Sequence, residues 1–111
     1  MKMIAQIALL LIISTHLKSQ CLSPKAYTNP VITGFFPDPS VVRTGVDYFC
    51  VNSTFEYFPG IIISHSKDLV NWKQIGHVFT KREDLDLTNY YDGMGVWAPD
   101  ISFWNGEFYI F

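Results

Sequence analysis

Cysteine, basic charge and helical periodicity are all scarce in this 111-residue chain, and each scarcity removes a class of protein. Two cysteines, Cys21 and Cys50, do not make a disulfide framework. Cys50 lies in the apolar run Tyr48-Phe49-Cys50-Val51, where a buried free thiol is the default; an exported location would also permit a Cys21–Cys50 bridge. His65 and His77 are isolated in sequence, which suits surface or core roles better than metal ligation. Beyond Ser19 there are six Lys and Arg against ten Asp and Glu, and only Lys81-Arg82 places two basic residues together. No basic patch is left for nucleic acid or anionic lipid. The longest apolar run, Ile4 to Ile13, is too short for a membrane span, and no later segment keeps a helical period.

Lys2, that apolar run and the polar tail Ser14 to Gln20 form the pattern of a secretory signal peptide, with cleavage expected after Ser19. Residues 20–28 then read as a linker, and the expected location is secreted or periplasmic. Cys21 raises the alternative of a lipid anchor, but Leu17-Lys18-Ser19-Gln20 matches poorly the small-residue signal that lipidation needs.

What the chain does have is aromatic side chains, 18 in all (nine Phe, six Tyr, three Trp), every one of them after the leader. Such density points to a β-rich core, to stacking surfaces, or to both. Short strands are expected at Val41 to Arg43, Asp47 to Val51, Ile61 to Ser64, Trp72 to Phe79, Val96 to Phe103 and Glu107 to Phe111. Thr44-Gly45 and Asn105-Gly106 give hairpin turns, FEYFPG (Phe55 to Gly60) an aromatic loop, and Lys81 to Tyr91 a long charged loop.

Pro37-Asp38-Pro39-Ser40 recurs as Pro99-Asp100-Ile101-Ser102. Each copy leads into an apolar strand, a glycine turn (Gly45, Gly106), an acid (Asp47, Glu107) and an aromatic strand. About four short strands per repeat suggest β-propeller blades, which cannot bury their faces without neighbours. One blade and the start of a second do not close a ring. The chain therefore reads as the N-terminal piece of a longer protein, inactive and poorly folded alone.

Asp38 is the leading candidate for chemistry. Proline on both sides predicts a stiff, extended segment that aims the carboxylate before a substrate arrives. The alternative is an ordinary turn in which Asp makes local side-chain bonds. A carboxylate serves as a base in its charged form. Burial among Phe35 and Phe36 would disfavour that form, so hydrogen bonds are expected to support it. Glu56 reads either as a pocket residue or as half of a loop salt bridge. Asn52-Ser53-Thr54 fits the N-glycosylation pattern, but no glycan is expected beside a pocket loop.

From Asn29 to Phe111 the sequence resembles the start of a glycoside hydrolase family 43 catalytic domain of the β-xylosidase and α-L-arabinofuranosidase type. PDPS, STFEYFPG, HSKDLVNW and VWAPD carry the resemblance together. It implies an all-β, five-bladed β-propeller, of which this chain holds about the first blade and the start of the second. It also implies inverting removal of xylose or arabinose from plant cell-wall hemicellulose. The substrate would be a xylo-oligosaccharide or an arabinose-substituted glycan. On this resemblance Asp38 is the general base, while Phe55 and Trp97 wall the pocket for the terminal sugar. Core packing stays open for both aromatics. The general acid and a second, pKa-tuning carboxylate belong to later blades. Asp100 matches a non-catalytic position. Some family members hold a calcium ion in the channel, but no site for it is evident, and no cofactor is expected of these residues. The competing functions are a non-catalytic carbohydrate-binding propeller and a fructan- or sialic-acid-cleaving one. The carboxylate at Asp38 argues against the first, and the PDPS and WAPD pair against the second.

Overall fold

The computed structural model describes residues 26–111, so the expected signal peptide and Cys21 lie outside the described residues. Six strands and no helix occur among the described residues: β1 (Ser40–Thr44), β2 (Asp47–Asn52), β3 (Gly60–Ser66), β4 (Lys73–Phe79), β5 (Ile101–Trp104) and β6 (Glu107–Ile110). The first four form one antiparallel sheet in the order β1-β2-β3-β4, and the last two a separate hairpin. A four-stranded meander followed by a new hairpin is one propeller blade and the start of the next.

Local chemistry accounts for the turns. Gly45 has φ 61°, and Thr44 pairs with Asp47 across a two-residue loop that opens on glycine. The second hairpin closes through Asn105 (φ 50°) and Gly106 (φ 86°), the pair of left-handed residues that a type I′ turn requires. Between β3 and β4 the register jumps from Ile63↔Gly76 to Ser64↔Gln74, leaving Ile75 as the extra residue of a bulge.

The core is small. Val51, Ile61 and Ile101 are buried, with Val42, Phe49, Ile63, Val78, Phe79, Val96 and Ile110 packed partly against them. Ile101 and Ile110 belong to the second hairpin, so the core is shared between the two units, and β5 packs beside β1. Cys50 is a free thiol in this layer, 1% exposed, and burial pushes its pKa up. The β5–β6 hairpin exposes Trp104 on one face, while the cross-strand pair Phe103 and Phe108 on the other is only partly covered, as suits a blade that packs against a neighbour.

One expectation changes in detail, and another holds. The strand expected from Val96 to Phe103 begins only at Ile101. Val96 makes an isolated bridge to Phe55, Ala98 takes φ 36°, and Pro99 has no N–H for a ladder. The charged loop from Lys81 to Tyr91 contains turns but no strand, and it is tied down at two points. Leu85 lies against Gly60, where a Cβ would come within 2.4 Å of it, and the Arg82 guanidinium sits 5.2 Å from the Phe58 ring centroid.

The turn between β3 and β4 is built on Asp68. Its Oδ1 accepts from the backbone N–H groups of Val70 (2.9 Å) and Asn71 (2.7 Å), and its Oδ2 from Asn71 Nδ2 (2.7 Å). The backbone bond from Asn71, then the Asn71 side chain and the Val70 amide, hold this carboxyl far below the usual carboxylate range. With the folded-state value depressed, the turn bonds are complete above the ordinary pKa of about 3.9 and weaken only as pH falls through the lower folded value. In an NMR pH titration, the Val70 and Asn71 amide protons should shift together with a midpoint well below 3.9. A midpoint at the ordinary value would mean that the bonds do not persist in solution.

Candidate active site

The site starts where β2 runs out. The apolar strand Cys50-Val51 continues into Asn52-Ser53-Thr54, and all five residues are buried. Buried polar side chains need partners, and these find theirs on the segment that enters β1. Asn52 Nδ2 donates to the carbonyls of Phe36 (2.9 Å) and Pro37 (3.0 Å), and the Ser53 backbone N–H donates to the same Pro37 carbonyl (3.2 Å). With its amide spent in this way and its surface 1% exposed, Asn52 is inaccessible as a glycan acceptor in the fold.

This clamp changes the picture of Asp38. The residue is not extended, as its two flanking prolines suggest. Its φ is 49°, in the left-handed region, which costs a non-glycine residue roughly 1–2 kcal/mol. Asp tolerates that region better than most residues, and leaving the clamped carbonyls buried and unpaired would cost about 1–3 kcal/mol each. The clamp therefore outweighs the strain. Nor is Asp38 buried among Phe35 and Phe36. It is exposed, and Phe35 is itself 61% exposed. The expected support for the carboxylate is nevertheless in place, since Ser53 Oγ donates to Asp38 Oδ2 at 2.6 Å.

The repeat copy behaves differently. Asp100 accepts from Ser40 Oγ at 2.6 Å, while Ser40 Oγ accepts from the Ile101 N–H at 3.2 Å. The backbone of Asp100 is also paired in both directions with Phe111 (3.1 and 3.0 Å). Asp100 thus ties the second hairpin to the first strand of the blade, as suits a structural residue.

A single bridge brings together the segments that carry the two candidate aromatics. Phe55 and Val96 exchange backbone hydrogen bonds of 3.0 and 3.1 Å, which brings the FEYFPG loop against the segment carrying Trp97. Phe55 is half-buried, with its ring 5.9 Å from that of Phe35. Trp97 is 61% exposed, with Nε1 bonded to the Gly93 carbonyl at 2.9 Å. Neither belongs to the hydrophobic core cluster. Glu56 forms no salt bridge among the described residues; its carboxylate accepts the Gly93 N–H at 3.0 Å, so it holds the loop on which Trp97 rests. Ala98, directly after Trp97, donates its N–H to Ser53 Oγ at 2.6 Å. The segments of Asp38, Phe55 and Trp97 are therefore gathered around one buried stretch, residues 52–54.

Sequence reasoning did not single out Asn52 or Ser53 as site residues. The available signal was the polar triplet itself, directly continuing an apolar strand. Among the described residues no three His, Cys, Asp or Glu side chains gather where they could hold a metal ion. His65 instead pairs with Asp47 at 2.7 Å across β2 and β3.

A four-stranded antiparallel blade followed by the first hairpin of another defines a β-propeller protein. The chain belongs to glycosyl hydrolase family 43, whose sequence model matches residues 27–111. It is 45% identical over 104 residues to a non-reducing end α-L-arabinofuranosidase of Bacteroides ovatus, covering 92% of this chain and 20% of that protein. It is 49% identical over 83 residues to a β-xylosidase of Bacillus subtilis, covering 75% of this chain and 16% of the relative. Among solved structures, a family 43 protein of Bacillus licheniformis superposes with a TM-score of 0.73 at 67% identity, over 76% of this chain and 16% of the other. The chain thus spans a fifth or less of the length of these relatives.

Gly95 makes the approach of the two aromatic segments sterically possible. With φ 101°, it has no room for a Cβ, which would lie 2.4 Å from the Phe55 carbonyl oxygen. Gly95→Ala should push the segments apart and remove hydrogen-exchange protection from the Phe55 and Val96 amides. Gly45→Ala, where a Cβ meets nothing within 4 Å, should leave both amides protected. Equal effects from the two substitutions would rule out this close approach.

Proposed function

We propose that the chain is the N-terminal part of an exported family 43 enzyme that removes xylose or arabinose from hemicellulose with inversion, and that Asp38 is its general base. The observation that carries the reading is the exposed Asp38 carboxylate, held by Ser53 beside the segments of Phe55 and Trp97. The names of the relatives, xylosidases and arabinofuranosidases, supply the substrate class. Ionised Asp38 takes a proton from water as the water oxygen attacks the anomeric carbon. The glycosidic bond breaks on the opposite face, and the leaving oxygen takes a proton from a carboxylic acid of a later blade. Inversion requires about 6.5–9.5 Å between the two carboxyl groups, with room for the water. Trp97 offers a flat face to the sugar's C–H bonds. Residues 1–111 alone are then expected to give no turnover, because the acid lies elsewhere.

In the intact enzyme, Asp38→Asn should lower kcat by about 10²–10⁴-fold while pentose binding survives. Substrates with good leaving groups should suffer equally, since water attack is still needed. Proton NMR during early hydrolysis of a β-xyloside should show α-xylose first; β-xylose first would mean a carboxylate nucleophile and would remove the base assignment. Trp97→Ala should raise KM in a folded protein. If that variant unfolds while turnover per folded molecule is unchanged, Trp97 is a packing residue.

A further inference from the structure

We infer that Ser53 is a positioning residue that ties the base to the sugar-binding wall and selects which oxygen of Asp38 receives the proton. The inference rests on the reading of Asp38 as the base. Ser53 is 0% exposed, and its hydroxyl makes two hydrogen bonds of 2.6 Å to residues 15 and 45 positions away in sequence. A hydroxyl carries one proton. The Ala98 N–H can only donate, so it takes a lone pair of Ser53 Oγ. An ionised carboxylate can only accept, so the Ser53 proton points at Asp38 Oδ2. The direction of both bonds is therefore fixed without any choice of rotamer.

Two consequences follow for the chemistry. Oδ2 is occupied by Ser53, which leaves Oδ1 as the oxygen free to accept the proton from water. The bond to Oδ2 need not break as Oδ1 becomes protonated, so Ser53 does not have to reorient during the step. At its other end, Ser53 holds Ala98, whose φ of 36° is unfavourable for a side-chain-bearing residue and which follows Trp97 directly. A single buried hydroxyl thus sets the base relative to the aromatic wall. Asp100 lacks this arrangement, because its serine partner, Ser40, joins it to backbone of its own hairpin rather than to a pocket residue.

The test is a double-mutant cycle in the intact enzyme, with Ser53→Ala, Asp38→Asn and the pair, measured as kcat and KM on a nitrophenyl pentoside. Ser53→Cys is added because it keeps the shape while weakening both hydrogen bonds. Ser53→Ala and Ser53→Cys should each lower kcat by about tenfold to a hundredfold, the range of one buried hydrogen bond to a charged group. KM should rise less than kcat falls. In the Asp38→Asn background the loss of the hydroxyl should cost almost nothing further in kcat, because Ser53 acts through the base. Penalties that multiply, or a Ser53→Cys enzyme with wild-type kcat and KM, would overturn the inference and leave Asp38 as the base. An Asp38→Asn enzyme with full turnover would instead overturn the base reading, and the positioning role with it. If Ser53→Ala fails to fold, Ser53→Cys and its pair with Asp38→Asn decide the question.

Discussion

The hydrogen bonds from Asn52 and Ser53 to the segment before β1 are the constraint on which the rest of the site depends. Phe36 and Pro37 precede the first strand and have no ladder to satisfy their carbonyls, yet they lie against buried chain. Backbone acceptors in that position must be paired. A side-chain amide and one backbone N–H, both from the end of β2, take that role. Because Asn52 and Ser53 are themselves buried, their geometry is set by packing, and the geometry of Asp38 is set through them. Asp38 can be exposed and still be held, since its support comes from beneath.

The same four-residue motif serves two ends in one chain. At Asp38 the serine partner comes from the end of β2 and leaves one carboxylate oxygen open beside the pocket segments. At Asp100 the serine partner is Ser40 of the preceding repeat, and the carboxylate becomes a tie between hairpins. Repetition supplies the scaffold, and the choice of hydrogen-bond partner separates an exposed carboxylate from one that ties two hairpins together. Positive φ at Asp38, Phe55 and Ala98 marks where the backbone departs from the repeat's regular geometry, and all three residues border Ser53 or its neighbour Thr54. Ile61 (φ 54°), bonded to Thr54 through its N–H, belongs with them, whereas Leu69 and Asn105 take positive φ in the turns between strands.

The aromatic residues divide in a similar way. Phe49 and Phe79 pack against the small core, whereas Phe35, Tyr57 and Trp97 remain exposed around the candidate site. Apolar rings left at a rim are suited to flat, weakly polar ligand faces. Trp104 and Phe108, also exposed, lie on the second hairpin, where a further blade would cover them.

Most of the architecture was legible in the sequence, because strands, glycine turns and the internal repeat are local signals: Asn105-Gly106 forms a hairpin whatever lies around it, and the recurrence of Pro-Asp announces a second blade. Asp38, Phe55 and Trp97 were nameable from their motifs as candidates. What the sequence could not decide was their geometry. Two prolines favour extended backbone at Asp38 by local sterics, but the tertiary bonds from Asn52 and Ser53 impose a left-handed one. The strand expected at Val96 is interrupted because the chain bends at Ala98 to reach Ser53, 45 residues away. Glu56 holds a loop rather than a salt bridge, because its partner is a backbone amide 37 residues distant. Local propensity acts over a few residues, whereas the pairing of buried polar groups is satisfied across the whole fold, and only the folded chain determines which groups meet.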